Sequence, residues 1–92
     1  MTTDERLIHL NEKTLRKFGK ERQLLKFIEE SNELQDEIIK IFTKEKECRE
    51  KIIEEIADVV ITLNQLYIIF KLDLDEFNQV LNKKLDKLEK KL

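Results

Sequence analysis

Apolar residues recur along the chain at intervals of three and four, the spacing that places side chains on one face of a helix. Four helices follow from that pattern. The first runs from about Asp4 to Phe18 and carries Leu7, Leu10, Thr14 (or Leu15) and Phe18. Gly19, the one residue suited to a left-handed cap, falls where that helix should stop. The second runs from about Lys20 to Phe42, with Leu24, Phe27, Ile28, Leu34, Ile38, Ile41 and Phe42 as its stripe, and the polar stretch Thr43 to Glu47 breaks it. The third runs from about Arg49 to Lys71, with Ile52, Ile56, Val59, Leu63, Leu66 and Phe70 in register. After a short turn at Leu72-Asp73, where Asp73 and Glu76 resemble a capping box, the fourth carries Leu74, Phe77, Leu81, Leu85, Leu88 and Leu92.

The third helix is apolar on more than one side, since Val59-Val60-Ile61 and Ile68-Ile69 add to its stripe. Such a helix is enclosed by its own chain or covered by a second one, and the sequence leaves both open. The fourth helix comes close to a heptad pattern, which favours a dimer.

Composition narrows the class. The chain has 92 residues, no proline and one glycine, so the tight turns of a sandwich or a doubly wound sheet are missing. Charged residues make up 41% and hydrophobic ones 40%, which suits long helices with one wet face and argues against wholesale disorder. A single all-α domain over residues 1–92 is expected, a four-helix bundle completed by oligomerisation, because so small and charged a chain has little core of its own. The formal charge of -2 gives no general footprint for nucleic acid. No apolar run reaches the ~18 residues of a membrane helix, and Met1-Thr2-Thr3-Asp4-Glu5 does not read as a signal peptide. A cytoplasmic address with no membrane partner is therefore expected. Cys48 alone supports neither a disulfide framework nor a cysteine zinc site.

The candidate chemistry lies in two acidic pairs. Glu30 and Glu33 are three apart on the second helix, and Glu55 and Asp58 three apart on the third, so each pair shares a helix face. Each pair is offset from its apolar stripe by about a quarter turn in the same sense, at about 100° per residue. Antiparallel packing of the two helices then brings all four carboxylates to one side of a hydrophobic seam. Like charges so placed raise each other's pKa values, and a hard divalent cation resolves the conflict. Oxygen-only ligands suit Mg²⁺, Mn²⁺ or Ca²⁺, and Ala57 and Thr62 leave room beside the carboxylates. On the plainer reading these are solvated acidic faces in a Glu-rich chain.

These residues resemble the MazG-type all-α nucleoside triphosphate pyrophosphohydrolases, and in particular a short, phage-borne branch. The family pattern E-x-x-E then E-x-x-D reads here as Glu30-Ser31-Asn32-Glu33 and Glu55-Ile56-Ala57-Asp58. Asn82-Lys83-Lys84-Leu85-Asp86-Lys87 resembles the family's N-x-K-F-x-x-R tail, and Phe18-Gly19 and Gln23 also fit. The resemblance implies hydrolysis of a nucleoside triphosphate between the α- and β-phosphates to a monophosphate and pyrophosphate. It implies Mg²⁺, with Mn²⁺ as the alternative, on Glu30, Glu33, Glu55 and Asp58. It places Asn82, Lys84 and Lys87 at the nucleotide, in a homodimer or a dimer of dimers. Lys87 replaces the family's arginine and loses its bidentate grip on phosphate, and Leu85 replaces its phenylalanine.

A rival reading keeps the bundle without turnover, as a helical interaction or regulatory module. Lys84 and Lys87 share a face, as a phosphate contact requires, whereas Lys90 and Lys91 read as solvated. His9 reads as a boundary residue and Tyr67 as core; Asn64, away from the stripe, is available to another subunit.

Overall fold

A computed structural model describes residues 1–43 and 48–92, and among them every regular element is a helix. They are α1 (Thr3–Phe18), α2 (Lys20–Thr43), α3 (Arg49–Ile69) and α4 (Leu74–Lys91). The boundaries match the periodicity closely. Most of the expected break after α2, from Lys44 to Glu47, lies outside the described residues; Thr43 itself is helical.

The caps explain the ends. Thr2 and Glu5 form a full capping box, each side chain bonding the other's backbone N–H at 3.1 Å. Thr2-Thr3-Asp4-Glu5 is the T-x-x-E signal of such a box, ahead of the first apolar residue of the stripe. At α4, Asp73 accepts from the backbone of Asp75 and Glu76, a plain N-cap without the reciprocal half of the expected box. Gly19 stops α1 with φ 86° and ψ 159°. This positive φ is open to glycine at no steric cost, but the extended ψ is not the left-handed helical cap expected. The Gly19 N–H donates to Leu15 and its carbonyl accepts from Gln23, so α2 begins without an intervening loop.

α2 packs on α3, and α1 lies across both. Gln23 opposes Gln65, and Glu30 and Glu33 meet Glu55 and Asp58. That reversed order makes α2 and α3 antiparallel.

The interior is polar. Among the described residues none of the buried side chains is hydrophobic; the buried ones are Asn11, Gln23, Glu30, Glu55, Thr62 and Gln65. The amide of Asn11 donates to the Ile61 carbonyl (3.0 Å) and to Asn64 (2.9 Å). Gln65 donates to Asn11, and Gln23 donates to Gln65, both at 2.9 Å. This chain of amides ties α1, α2 and α3 together, and it gives Asn64 a partner within its own chain.

The apolar stripes are correspondingly turned outward. The inner face of α3 carries Ile52, Glu55, Val59, Thr62 and Leu66, while Ile56, Leu63 and Phe70, expected to face inward with them, are exposed. With Ile53 and Val60 they form an outer stripe at three- and four-residue spacing. On α2, Leu24, Phe27, Leu34 and Ile41 are half-buried, but Ile28, Ile38 and Phe42 are exposed.

α4 stands apart. None of its Cα atoms comes within 8 Å of one in α1, α2 or α3, and the Tyr67 and Phe77 rings, 5.5 Å between centres, bridge it to α3. The radius of gyration is 15.9 Å, against about 12 Å for a compact domain of this length. Three helices, not four, pack together within one chain. No described helix is long and apolar enough to cross a membrane.

Asn11→Ala removes the hub of the amide chain and strands the Gln65 amide donor. It is expected to cost about 1–3 kcal/mol, read as a lower urea midpoint, whereas Lys13→Ala on the exposed side of α1 should shift it little.

Candidate metal centre

Antiparallel pairing of α2 and α3 brings Glu30, Glu33, Glu55 and Asp58 together. Each offers a carboxylate oxygen, and the four oxygens lie within 4.8 Å of one another. The four candidates from two separate helices thus form one cluster. They sit deeper than the seam edge on which the spacing placed them: Glu55 is 4% exposed and Glu30 is 8% exposed. Asp58 is half-buried and Glu33 faces solvent.

The two buried carboxylates are half-satisfied. Lys26, one turn before Glu30, holds its Oε1 at 3.1 Å and reaches Glu29 at 3.6 Å. Lys51, one turn before Glu55, holds its Oε1 at 3.1 Å. The Oε2 atoms of both glutamates are buried without a hydrogen-bond partner. A buried carboxylate oxygen left so costs more than a neutral group. Two unit charges within 4.8 Å also repel by at least about 3 kcal/mol at an effective dielectric of ~20.

The field is visible in the titration of neighbouring groups. The negative charge of Glu30 raises Glu33 above its ordinary 4.5, helped by burial and by Glu55. Burial raises Asp58 above 3.8, followed by the charges of Glu30 and Glu55. Hydrogen bonding to Glu30 raises Lys26, and hydrogen bonding to Glu55 raises Lys51, so both ammonium groups stay charged at neutral pH.

Four carboxylates with two inward, unpartnered oxygens can hold a metal ion. The all-oxygen donor set favours a hard divalent cation. The Thr62 hydroxyl bonds back to the Asp58 and Val59 carbonyls within α3 and takes no carboxylate for itself.

Other candidates fall elsewhere. Asn82, Lys84 and Lys87 are exposed on α4, which does not approach the cluster of its own chain. His9 and Cys48 are exposed, and Tyr67 is half-buried against Phe77. Lys26 and Lys51 were missed by sequence reasoning, although a lysine four residues before an acid of the motif occurs in both helices. No protein-family model, curated protein or solved structure matches the chain.

Folded Glu33 and Asp58 bind protons more tightly than their unfolded counterparts. Between their ordinary values, 4.5 and 3.8, and the raised folded ones, stability therefore falls as pH rises. Glu5 acts oppositely: hydrogen bonds from the Thr2 backbone and hydroxyl lower it, and its stabilisation is lost on acidification. The difference between wild type and a Glu33→Gln/Asp58→Asn variant isolates the cluster. Without metal the wild type should melt below the variant at about pH 7, with the gap closing towards about pH 4. Saturating MgCl₂ should reverse the order at neutral pH by stabilising only the wild type.

Proposed function

We infer that this chain is a Mg²⁺-dependent nucleoside triphosphate pyrophosphohydrolase. The observation that carries the reading is the convergence of Glu30, Glu33, Glu55 and Asp58, two of them with buried oxygens lacking any partner. The resemblance of the two acidic motifs to the MazG-type enzymes supplies the substrate class.

In the proposed reaction a water oxygen bonds to the α-phosphorus, and the bond from that phosphorus to the α–β bridging oxygen breaks. Pyrophosphate leaves and the nucleoside monophosphate remains. A bound Mg²⁺ supplies charge neutralisation at the phosphate oxygens and a more acidic water. Glu30 and Glu55 would hold the metal as its fixed ligands, because burial restricts them. Glu33 and Asp58 lie nearer solvent with raised proton affinity, and one of them accepts the proton of the attacking water.

The working form is a homodimer or a dimer of dimers. The chain exposes 7945 Å², about 2,300 Å² more than a compact monomer of its mass. That excess is of the size buried per subunit in obligate interfaces. The outer stripe of α3, Leu81, Leu85 and Leu88 of α4, and Leu92 just past its end supply the apolar surface. In such an assembly α4 carries Asn82, Lys84 and Lys87 to the cluster of a second copy. The same apolar surface also fits the rival interaction module, and turnover separates the two.

With Mg²⁺ and each deoxynucleoside triphosphate, the protein should release pyrophosphate and no orthophosphate. Glu33→Gln and Asp58→Asn should each lower the rate by about 100-fold or more with unchanged helicity. Turnover that persists in both variants, or its absence from the wild type, refutes the enzymatic reading. Sedimentation should give at least twice the 11.1 kDa chain mass, and Leu85→Glu should shift it towards the single chain.

A further inference from the structure

The corner between α1 and α2, next to the carboxylates, is basic. Thr14, Phe18, Arg22, Gln23 and Lys26 line an open cavity of ≈ 280 Å³. Arg22, Lys26 and Glu30 follow one another at intervals of four on α2, so one stripe runs from guanidinium to ammonium to buried carboxylate. The Arg22 guanidinium lies over the Phe18 ring, 4.7 Å from its centre, a cation–π contact. Among the described residues no carboxylate forms an ion pair with Arg22. Both cations also stand in the first two turns of α2, towards the positive end of its dipole.

Lys26 connects this cavity to the cluster, through its 3.1 Å contact with Glu30. It stands in for part of the charge the carboxylates call for. A divalent cation between them would take over Glu30 and repel the ammonium, whose flexible stem can turn it towards Arg22. Lys51 makes the equivalent pair with Glu55 at the opposite end, but there the further neighbours are Glu54 and Glu37 rather than an arginine.

We propose that Arg22 and Lys26 form a subsite for the polyphosphate of the substrate, with Lys26 exchanging Glu30 for a phosphate oxygen when the metal binds. This rests on reading the carboxylate cluster as a divalent-metal site. It assigns anion binding to two residues of α2 in the same chain as the cluster, additional to the α4 lysines.

The test is calorimetric titration of the intact protein with MgCl₂ alone, then with inorganic tripolyphosphate at fixed free Mg²⁺. Wild type, Arg22→Gln and Lys26→Met are compared; both side chains are substantially exposed, so neither change threatens the fold. Arg22→Gln should bind Mg²⁺ like the wild type and tripolyphosphate about tenfold more weakly. Lys26→Met should bind Mg²⁺ more tightly, having lost a competing cation, and tripolyphosphate more weakly. A purely structural role would weaken both ligands together. Equal tripolyphosphate affinity in all three proteins, or none in a wild type that binds Mg²⁺, overturns the subsite. A wild type that fails to bind Mg²⁺ overturns the metal reading itself, and the exchange with it.

Discussion

The antiparallel register of α2 against α3 holds like charges together, and the rest of the molecule is arranged around that conflict. Glu30 and Glu55 enter the interface from opposite helices, each with one oxygen tied to a lysine and the other buried alone. Repulsion between them opposes the pairing. What opposes the repulsion is polar: Gln23 bonded to Gln65, and Gln65 to Asn11. A slip of one residue along either helix rotates its face by about 100° and parts Gln23 from Gln65. Directional hydrogen bonds therefore fix the alignment that brings the carboxylates together, where a uniformly apolar seam would tolerate several.

This inversion of interior and exterior has a cost in surface. A chain that buries amides and carboxylates in its centre has turned Ile53, Ile56, Val60 and Leu63 outward. The packed part of one chain is thus a pair of long helices with α1 against both, and α4 adds apolar surface while touching α3 through Phe77 on Tyr67. Both deficits, of positive charge inside and of apolar cover outside, are features of one chain considered alone.

The helices were legible almost to the residue, because Gly19, Asp73 and the three- and four-residue spacing act locally. The four acids were legible as a cluster, because two matched offsets and a short connection leave only antiparallel pairing. The inner face of α3 was not. Ile52, Val59 and Leu66 lie on one side and Ile53, Ile56, Val60 and Leu63 on another, and hydrophobicity gives no preference between them. The choice falls to Glu55, Thr62 and Gln65, polar residues that a search for an apolar stripe discards. Lys26 and Lys51 were overlooked for a related reason: a lysine one turn from a glutamate is an ordinary surface pair until burial of the glutamate changes its meaning. The position of α4 is a long-range matter on which its own heptads are silent.

The surface deficit and the charge deficit fall on the same two helices. Glu55 and Asp58 project from one side of α3, while Ile53, Ile56, Val60 and Leu63 project from another, so whatever braces the outer side also braces the ligands. Restricting α3 removes part of the ordering cost that a cation would otherwise meet. By linkage the effect runs both ways: a cation that draws α2 and α3 together presents a better-ordered apolar stripe to whatever covers it. A bound cation and a covering partner would thus act on the same helix pair, and the amide chain through Asn11 ties that pair to α1 in their absence.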